Sequence, residues 1–576
     1  MRRIGVGSLA VGLCLVALFG AAWVSTAVFD RLPHVEDEVA FLFQARTIAA
    51  GGLVAAAPAR PEFFDIPFVL VRDGQWFGKY PPGYPIVLAL GVLVGQPWLV
   101  NPLFGALSVG LIYVVGRRLY GASVGLLAAA LVAFSPFFLL QAGSFMSHAV
   151  CLFWAMAFLL LFVIAWERRS RGVALVAGAA LGALLLSRPL TAVGIGLPFA
   201  LWALVDTVGK PQRVPVYLSL AIGFLPFVAV LAAYNYATTG DPVRSAYEVW
   251  WPYDRIGFGT GFGLLGSHTL EDGMLNTRLN LEDLAEWLFG WPGRLSLLPA
   301  AIAVEFALLG LAGRFARRLR VHSSTRSGVP KPPERDPAWR EDPDSTGGRL
   351  CPPGGGGALA PLRDPAGANS KGNRSRPEVN ACASDAKAFP ELWDLLVVGM
   401  VGGLMAVHIA YWAPGQMYGP RYYFEALGAL ALLSARGLLQ TAAMASEGLQ
   451  LAFGGRRWPR ALAAGATLAV VAWLVVQNLT GFAPRQFAHF TRWYNVDGEG
   501  LRLVGSAGLQ NAIVFVKQSS WTDYAPFFSQ NAPSLDSNVV YAIDLGADEN
   551  RKLMALFPGR SFFRYADGRL VPLAER

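Results

Sequence analysis

The sequence predicts a polytopic α-helical membrane protein that carries a small α/β domain in its last segment. Three observations point there. Of 576 residues, 54% are hydrophobic and 15% charged, where ordinary soluble domains carry about a quarter charged residues, and the mean hydropathy is +0.42. The apolar residues gather in runs of spanning length, and arginine clusters follow alternate runs. The tail, 482–576, instead shows short β-type runs separated by turn residues.

The first run, 7–29, follows Met1-Arg2-Arg3 and exceeds the usual apolar core of a cleaved signal peptide, although Ser25-Thr26-Ala27 mimics a cleavage site. Basic turns then recur. Arg117-Arg118 ends the run 97–115, and Arg168-Arg169-Ser170-Arg171 ends 145–166. Lys210 and Arg213 follow the run ending near 205, and Arg314, Arg317, Arg318 and Arg320 the one ending near 312. Arg456-Arg457-Trp458-Pro459-Arg460 follows the run ending near 444. The intervening turns are not basic, which fits the positive-inside rule with about eleven spans, the N-terminus cytoplasmic and the C-terminal segment extracytoplasmic. The expected localisation is the cytoplasmic (inner) membrane.

Four segments result: 1–320, a transmembrane core with large outer loops; 321–390; 391–481, further transmembrane helices; and 482–576. The 321–390 stretch is rich in Pro, Gly, Ser, Arg and Asp and cannot bury a core, so a disordered cytoplasmic loop is expected. In the tail, 512–516 and 539–543 read as strands, 550–557 as a helix, and Ser561-Phe562-Phe563-Arg564-Tyr565 as a further β-type run. Asp544-Leu545-Gly546 is too short a signal for a nucleotide site, and the chain shows no internal repeat, phosphate-binding glycine fingerprint or nucleophile elbow.

The formal net charge of +9 does not read as nucleic-acid binding, because the arginines sit at the ends of apolar runs. Cys14 and Cys151 lie in apolar segments and Cys351 and Cys382 in the polar loop; no pair has metal-ligand spacing. No cofactor is indicated, and a divalent metal is possible without being signalled.

Chemistry gathers on the expected outer side. Glu36-Asp37-Glu38 follow the first span, where carboxylates are costly unless they face water, a cation or a reacting group; acids also favour a helix's first turn. Lys79-Tyr80-Pro81-Pro82-Gly83-Tyr84 is a rigid segment that holds one cation at the interface, though a snorkelling lysine would look the same. His148 opens the fourth span, a place where a structural histidine is common. Arg188 stands at the outer end of the fifth, against the charge rule, and an anion contact accounts for it. The loop 238–291 is dense in aromatic and charged residues, Asp241, Arg244, Tyr247, Glu248, Trp250, Trp251, Tyr253, Asp254 and Arg255, and an aromatic belt at the interface would look the same. Arg421, followed by Tyr422, has no basic neighbours and would be expensive facing lipid. A carboxylate that activates a hydroxyl, with cations that receive a phosphate leaving group, suits transfer from a phosphorylated lipid.

Asp37-Glu38 after the first span, Lys79-Tyr80-Pro81-Pro82-Gly83 and Arg421-Tyr422 together resemble the polyprenyl-phosphate-dependent GT-C glycosyltransferases (glycosyltransferase family 39), in the branch of protein O-mannosyltransferases and the lipid A aminoarabinose transferase. The resemblance covers 7–240 and 415–436. It implies inverting transfer of a hexosyl or pentosyl group from a polyprenyl-phosphate sugar to an acceptor hydroxyl on protein, lipid or polysaccharide. By the resemblance Asp37 is the catalytic residue, supported by Glu38, while Lys79 and Arg421 contact the donor phosphate. Tyr80 interrupts the family's Lys-Pro-Pro pattern. Topology adds Arg188 to the phosphate contacts and His148 to the substrate contacts; Tyr84 and Tyr422 are assigned to substrate. Glu36 competes with Asp37, because adjacent helical residues point about 100° apart. The alternative, a transporter or flippase of lipid-linked sugars, predicts mid-bilayer charges and repeat symmetry that the sequence does not show.

Overall fold

The structure is a computed structural model that describes residues 5–326, 390–453 and 458–573. The chain divides into two compact units, Met1–Ala307 with Ala388–Arg576, and Leu308–Lys387. Of the second, the described residues are 308–326, the later part of the helix Leu298–Arg326. The loop expected at 321–390 lies almost wholly outside the described residues, as do Cys351 and Cys382.

Among the described residues nine helices are long and apolar enough to cross a bilayer. A further pair, Ala122–Ala133 and Pro136–Gly143, is bent by 62° and makes ten if the two helices form one broken span. The break has a local cause: Pro136 cannot continue the first helix, and the Ser135 hydroxyl caps the second by accepting from Phe138 N–H. Against the eleven or so expected, the described residues thus hold nine or ten candidate spans, besides the shorter apolar helix Arg171–Ser187 of 17 residues. It lies backbone to backbone with Val214–Thr239. A Cβ at Gly178 would come within 1.9 Å of the Leu220 carbonyl oxygen, and one at Gly223 within 2.0 Å of that of Leu175. Small residues permit such approach between spans. The first helix, Val6–Ala27, buries Ala10, Ala17, Ala21 and Val24 and exposes Leu9, Phe19 and Trp23 on its other side, an apolar face for lipid. This is a multi-pass membrane protein.

Two polar regions of the first unit stand apart from the spans in sequence yet share a core. The stretch after the first span forms the helix Glu36–Ala49 and a three-stranded antiparallel sheet with Gln75–Gly78 between Ala55–Ala56 and Val69–Arg72. The tail forms a four-stranded sheet in the order Val539–Ile543, Ala512–Val516, Ser561–Ala566, Arg569–Pro572, the first three parallel and the last antiparallel. Every residue of Ala512–Val516 is buried, as its unbroken apolar run requires of a central strand. Phe43, Phe63 and Trp76 join Phe515, Tyr524 and Phe528 in one hydrophobic cluster. The rings of Phe43 and Phe528 are 5.8 Å apart, Tyr524 donates to the Phe63 carbonyl at 3.3 Å, and Arg60 pairs with Glu549 at 2.6 Å. The tail thus holds a small sheet-containing region, as expected, and its core continues into the first loop.

Candidate functional site

The three acids open the helix Glu36–Ala49, whose N-cap Val35 has no capping side chain. Their charge favours the positive end of the helix dipole, and the turn between successive residues gives each a different environment. Glu38 is buried, and its Oε2 accepts from His34 N–H at 2.7 Å. It thus satisfies an amide ahead of the helix, and burial pushes its carboxyl up to about 8. Burial also raises Glu36. Asp37 goes the other way: burial works to raise it, but the charge of Arg421, then that of Lys79, then a Tyr80 hydrogen bond hold it below the ordinary range. Tyr80 OH donates to Asp37 Oδ1 at 2.6 Å, and Arg421 Nη1 lies 3.4 Å from Oδ2.

Tyr80, which breaks the Lys-Pro-Pro pattern, is therefore a partner of the carboxylate. Gln44, on the same helix as Asp37, donates to the Tyr80 carbonyl at 2.8 Å, and the Tyr80 ring packs 4.3 Å from that of Phe41. Directly before it, Lys79 follows the strand Gln75–Gly78 and is buried. Its Nζ sits 3.4 Å from the centre of the Phe68 ring, 4.7 Å from Trp251 and 5.2 Å from Tyr247. Asp254 Oδ2 is 3.8 Å away. Burial lowers Lys79 to about 8, although Asp37 and Asp254 pull it upward.

Arg421 begins the segment Arg421–Ala426 after a tight loop. Gly415, at φ +72°, lies so close to Tyr422 that a Cβ there would meet the ring at 2.1 Å. The Tyr422 ring has Arg421 Cζ 5.3 Å and Arg188 Cζ 5.5 Å from its centre, with His408 stacked at 5.0 Å. Arg188 Nε is 3.6 Å from Glu425 Oε1, which is also 3.0 Å from His148 Nδ1. Around this network several buried polar atoms lack hydrogen bonds among the described residues: Arg421 Nε and Nη1, His148 Nε2, Glu425 Oε2 and Tyr418 OH. Unpaired buried groups are costly unless something meets them.

The structure gathers Asp37, Lys79, Arg421, Arg188 and Tyr422 into one network. His148 joins it from behind, fully buried on Glu425. Glu38 is turned to the His34 amide, and Tyr84 is buried with its hydroxyl donating to the Phe145 carbonyl at 2.8 Å. Sequence reasoning did not single out Tyr80, Asp254 or Glu425 as site residues. Asp254 sat among aromatics that read as a belt, and Glu425 in an apolar-aromatic run; each meets its partner only across a long stretch of chain. Among the described residues no group of three His, Cys, Asp or Glu is arranged to hold a metal ion.

Residues 80–232 match a family model described as dolichyl-phosphate-mannose-protein mannosyltransferase. That segment begins just after Lys79 and includes Tyr80, Tyr84, His148 and Arg188; Asp37 and Arg421 fall outside it. A comparison with curated proteins gives no match. Among solved structures, the chain is similar to ArnT from Cupriavidus metallidurans bound to undecaprenyl phosphate, at 13% identity over 99% of this chain and 98% of that one, with a TM-score of 0.49. It is also similar to the apo oligosaccharyltransferase of Archaeoglobus fulgidus, at 12% identity over 97% of this chain and 69% of that one, with a TM-score of 0.43.

Proposed function

We propose that the protein is a GT-C glycosyltransferase that moves a sugar, with inversion, from a polyprenyl-phosphate donor to an acceptor hydroxyl on the outer side of the cytoplasmic membrane. The observation that carries this reading is Asp37 held ionised between Arg421 and the Tyr80 hydroxyl, with the cation Lys79 nearby. The family model matched over 80–232, for a lipid-phosphate-sugar transferase, agrees with it.

In the proposed step the acceptor hydroxyl loses its proton to Asp37 as its oxygen bonds to the anomeric carbon. The bond from that carbon to the phosphate oxygen breaks on the opposite face, which inverts the centre. The electron pair leaves on the lipid phosphate, and Lys79, Arg421 and Arg188 meet the charge. Arg421 Nε, buried without a hydrogen bond among the described residues, is a donor suited to a phosphate oxygen. Tyr80 fixes which Asp37 oxygen faces the acceptor, because the other Tyr80 contacts hold its ring.

The test is transfer of radiolabelled sugar from a panel of polyprenyl-phosphate sugars in membranes, comparing wild type with Asp37→Asn. Transfer that the variant abolishes at equal expression establishes the enzyme and names the sugar. Lipid-linked sugar that crosses the bilayer untransferred, and equally in the variant, overturns the reading in favour of transport.

A further inference from the structure

We propose that Asp254 is a positioning residue for Lys79: its carboxylate, anchored from a separate segment, keeps the ammonium charged and in place to receive the donor phosphate. The proposal rests on the reading of Lys79 as a phosphate contact and extends it to a residue that carries no motif.

The geometry is specific. The Lys79 side chain is 5% exposed and that of Asp254 2%. Four rings surround the ammonium, Phe68, Trp251, Tyr247 and Tyr80, the last at 5.4 Å. Aromatic faces attract a cation but replace its water, so the cage alone favours the neutral amine less than bare hydrocarbon would, yet more than solvent does. Among the described residues Asp254 is the ion-pair partner of Nζ. At 3.8 Å the pair is longer than a hydrogen bond, which leaves ammonium N–H groups for a second anionic oxygen.

Asp254 is itself held. Its Oδ1 accepts from Tyr411 OH at 2.9 Å and from Trp412 Nε1 at 3.0 Å. The two segments are stitched alongside by Gly257 N–H donating to the Ala410 carbonyl at 2.8 Å. One oxygen is thereby committed to the scaffold and the other is aimed at Lys79. The charged groups that act on Lys79 are Asp37, Asp254 and Glu36, which favour the ammonium, and Arg421, which opposes it. Asp37 is engaged by Arg421 and Tyr80, so Asp254 is the carboxylate whose pairing with Lys79 is direct.

The experiment uses the full chain in detergent. Trace acetic anhydride labelling of Lys79, read by peptide mass spectrometry from pH 6 to 10, gives the titration midpoint of the amine without any assay of transfer. The pH profile of transfer is measured beside it. Asp254→Asn is expected to lower the midpoint by about one pH unit or more, to move the alkaline limb of kcat/KM down with it, and to raise the donor KM more than it lowers kcat. Lowering the pH to 6 recovers much of the loss, and Asp254→Glu restores the wild-type profile. Tyr411→Phe, which loosens the carboxylate without touching Lys79, gives a smaller shift in the same direction. An unchanged Lys79 midpoint in folded Asp254→Asn and Tyr411→Phe overturns the proposal. A shifted midpoint in a protein that transfers no sugar supports the pairing and overturns only the transferase reading.

Discussion

The helix His148–Arg168 has a buried ionic cluster at each end, and the two differ in how completely they are satisfied. At its end, Asp206 accepts from Tyr217 OH at 2.7 Å and Trp166 Nε1 at 3.3 Å, with Arg213 at 3.5 Å and Lys210 at 3.6 Å. Arg213 also lies over the Trp166 ring at 4.1 Å. Of that cluster only Arg213 Nε is buried without a hydrogen bond among the described residues. At its start, the Asp37–Arg421–Arg188–Glu425–His148 network leaves donors and acceptors open on three of its members. Both clusters combine arginine, carboxylate and aromatic rings, so composition does not separate them. Saturation does. The nearly closed cluster ties helices together, whereas the open one keeps buried polar atoms free to meet a further group.

The largest break in this contrast is Asp37→Asn, which should reduce transfer by about 10³-fold, within the range for loss of a general base, while thermal unfolding followed by tryptophan fluorescence stays near wild type. Arg421→Ala should cost about 10²-fold, as loss of one charge-stabilising donor does. It also removes the main influence that lowers Asp37, so the acidic limb of the pH profile should move to higher pH. A profile unmoved at that limb would show that Arg421 does not set the Asp37 charge.

Glu38→Gln sharpens the comparison inside one helix turn. With Glu38 raised to about 8, the folded state keeps a proton that the unfolded chain releases near the ordinary carboxylate value. Stability is therefore lost as pH rises between that value and about 8, and is level above it. Glutamine has no proton to lose, so the variant should flatten this slope, unfold at a higher temperature at pH 8, and leave transfer close to wild type. A loss of transfer as large as that of Asp37→Asn would place Glu38 in the chemistry after all. The smallest effect on transfer belongs to Asp206→Asn: activity per folded molecule unchanged, with stability lower by about 1–3 kcal/mol from the donors it strands. Equal losses of activity at both clusters would erase the distinction.

Much of this architecture is legible in the sequence because hydropathy and arginine placement are local signals. They mark most of the spans, and the β-type runs of the tail match the strands Ala512–Val516 and Val539–Ile543. The sheet within 55–78 is not legible, since two of its strands have four residues and one has two, too short for a period to show. Asp37 stands out by its place after a span. Asp254 and Glu425 do not, because their importance arises from Lys79 and Arg188, and pairing at such separations leaves no pattern in either neighbourhood. Glu38 illustrates the converse, a residue that looks like its neighbour in sequence and is set apart by a rotation of the helix.

The core shared by the first loop and the tail also imposes an order on the making of the protein. Phe63 and its partner Tyr524 are 461 residues apart, and Arg60 and Glu549 489. At a synthesis rate of about 5–20 residues per second, the ribosome takes about 25 to 100 seconds to supply the second partner. Until then the apolar residues of the first loop that pack on the tail lack that cover. The loop that carries the candidate site thus gains its apolar cover only once residues 524–549 have been made.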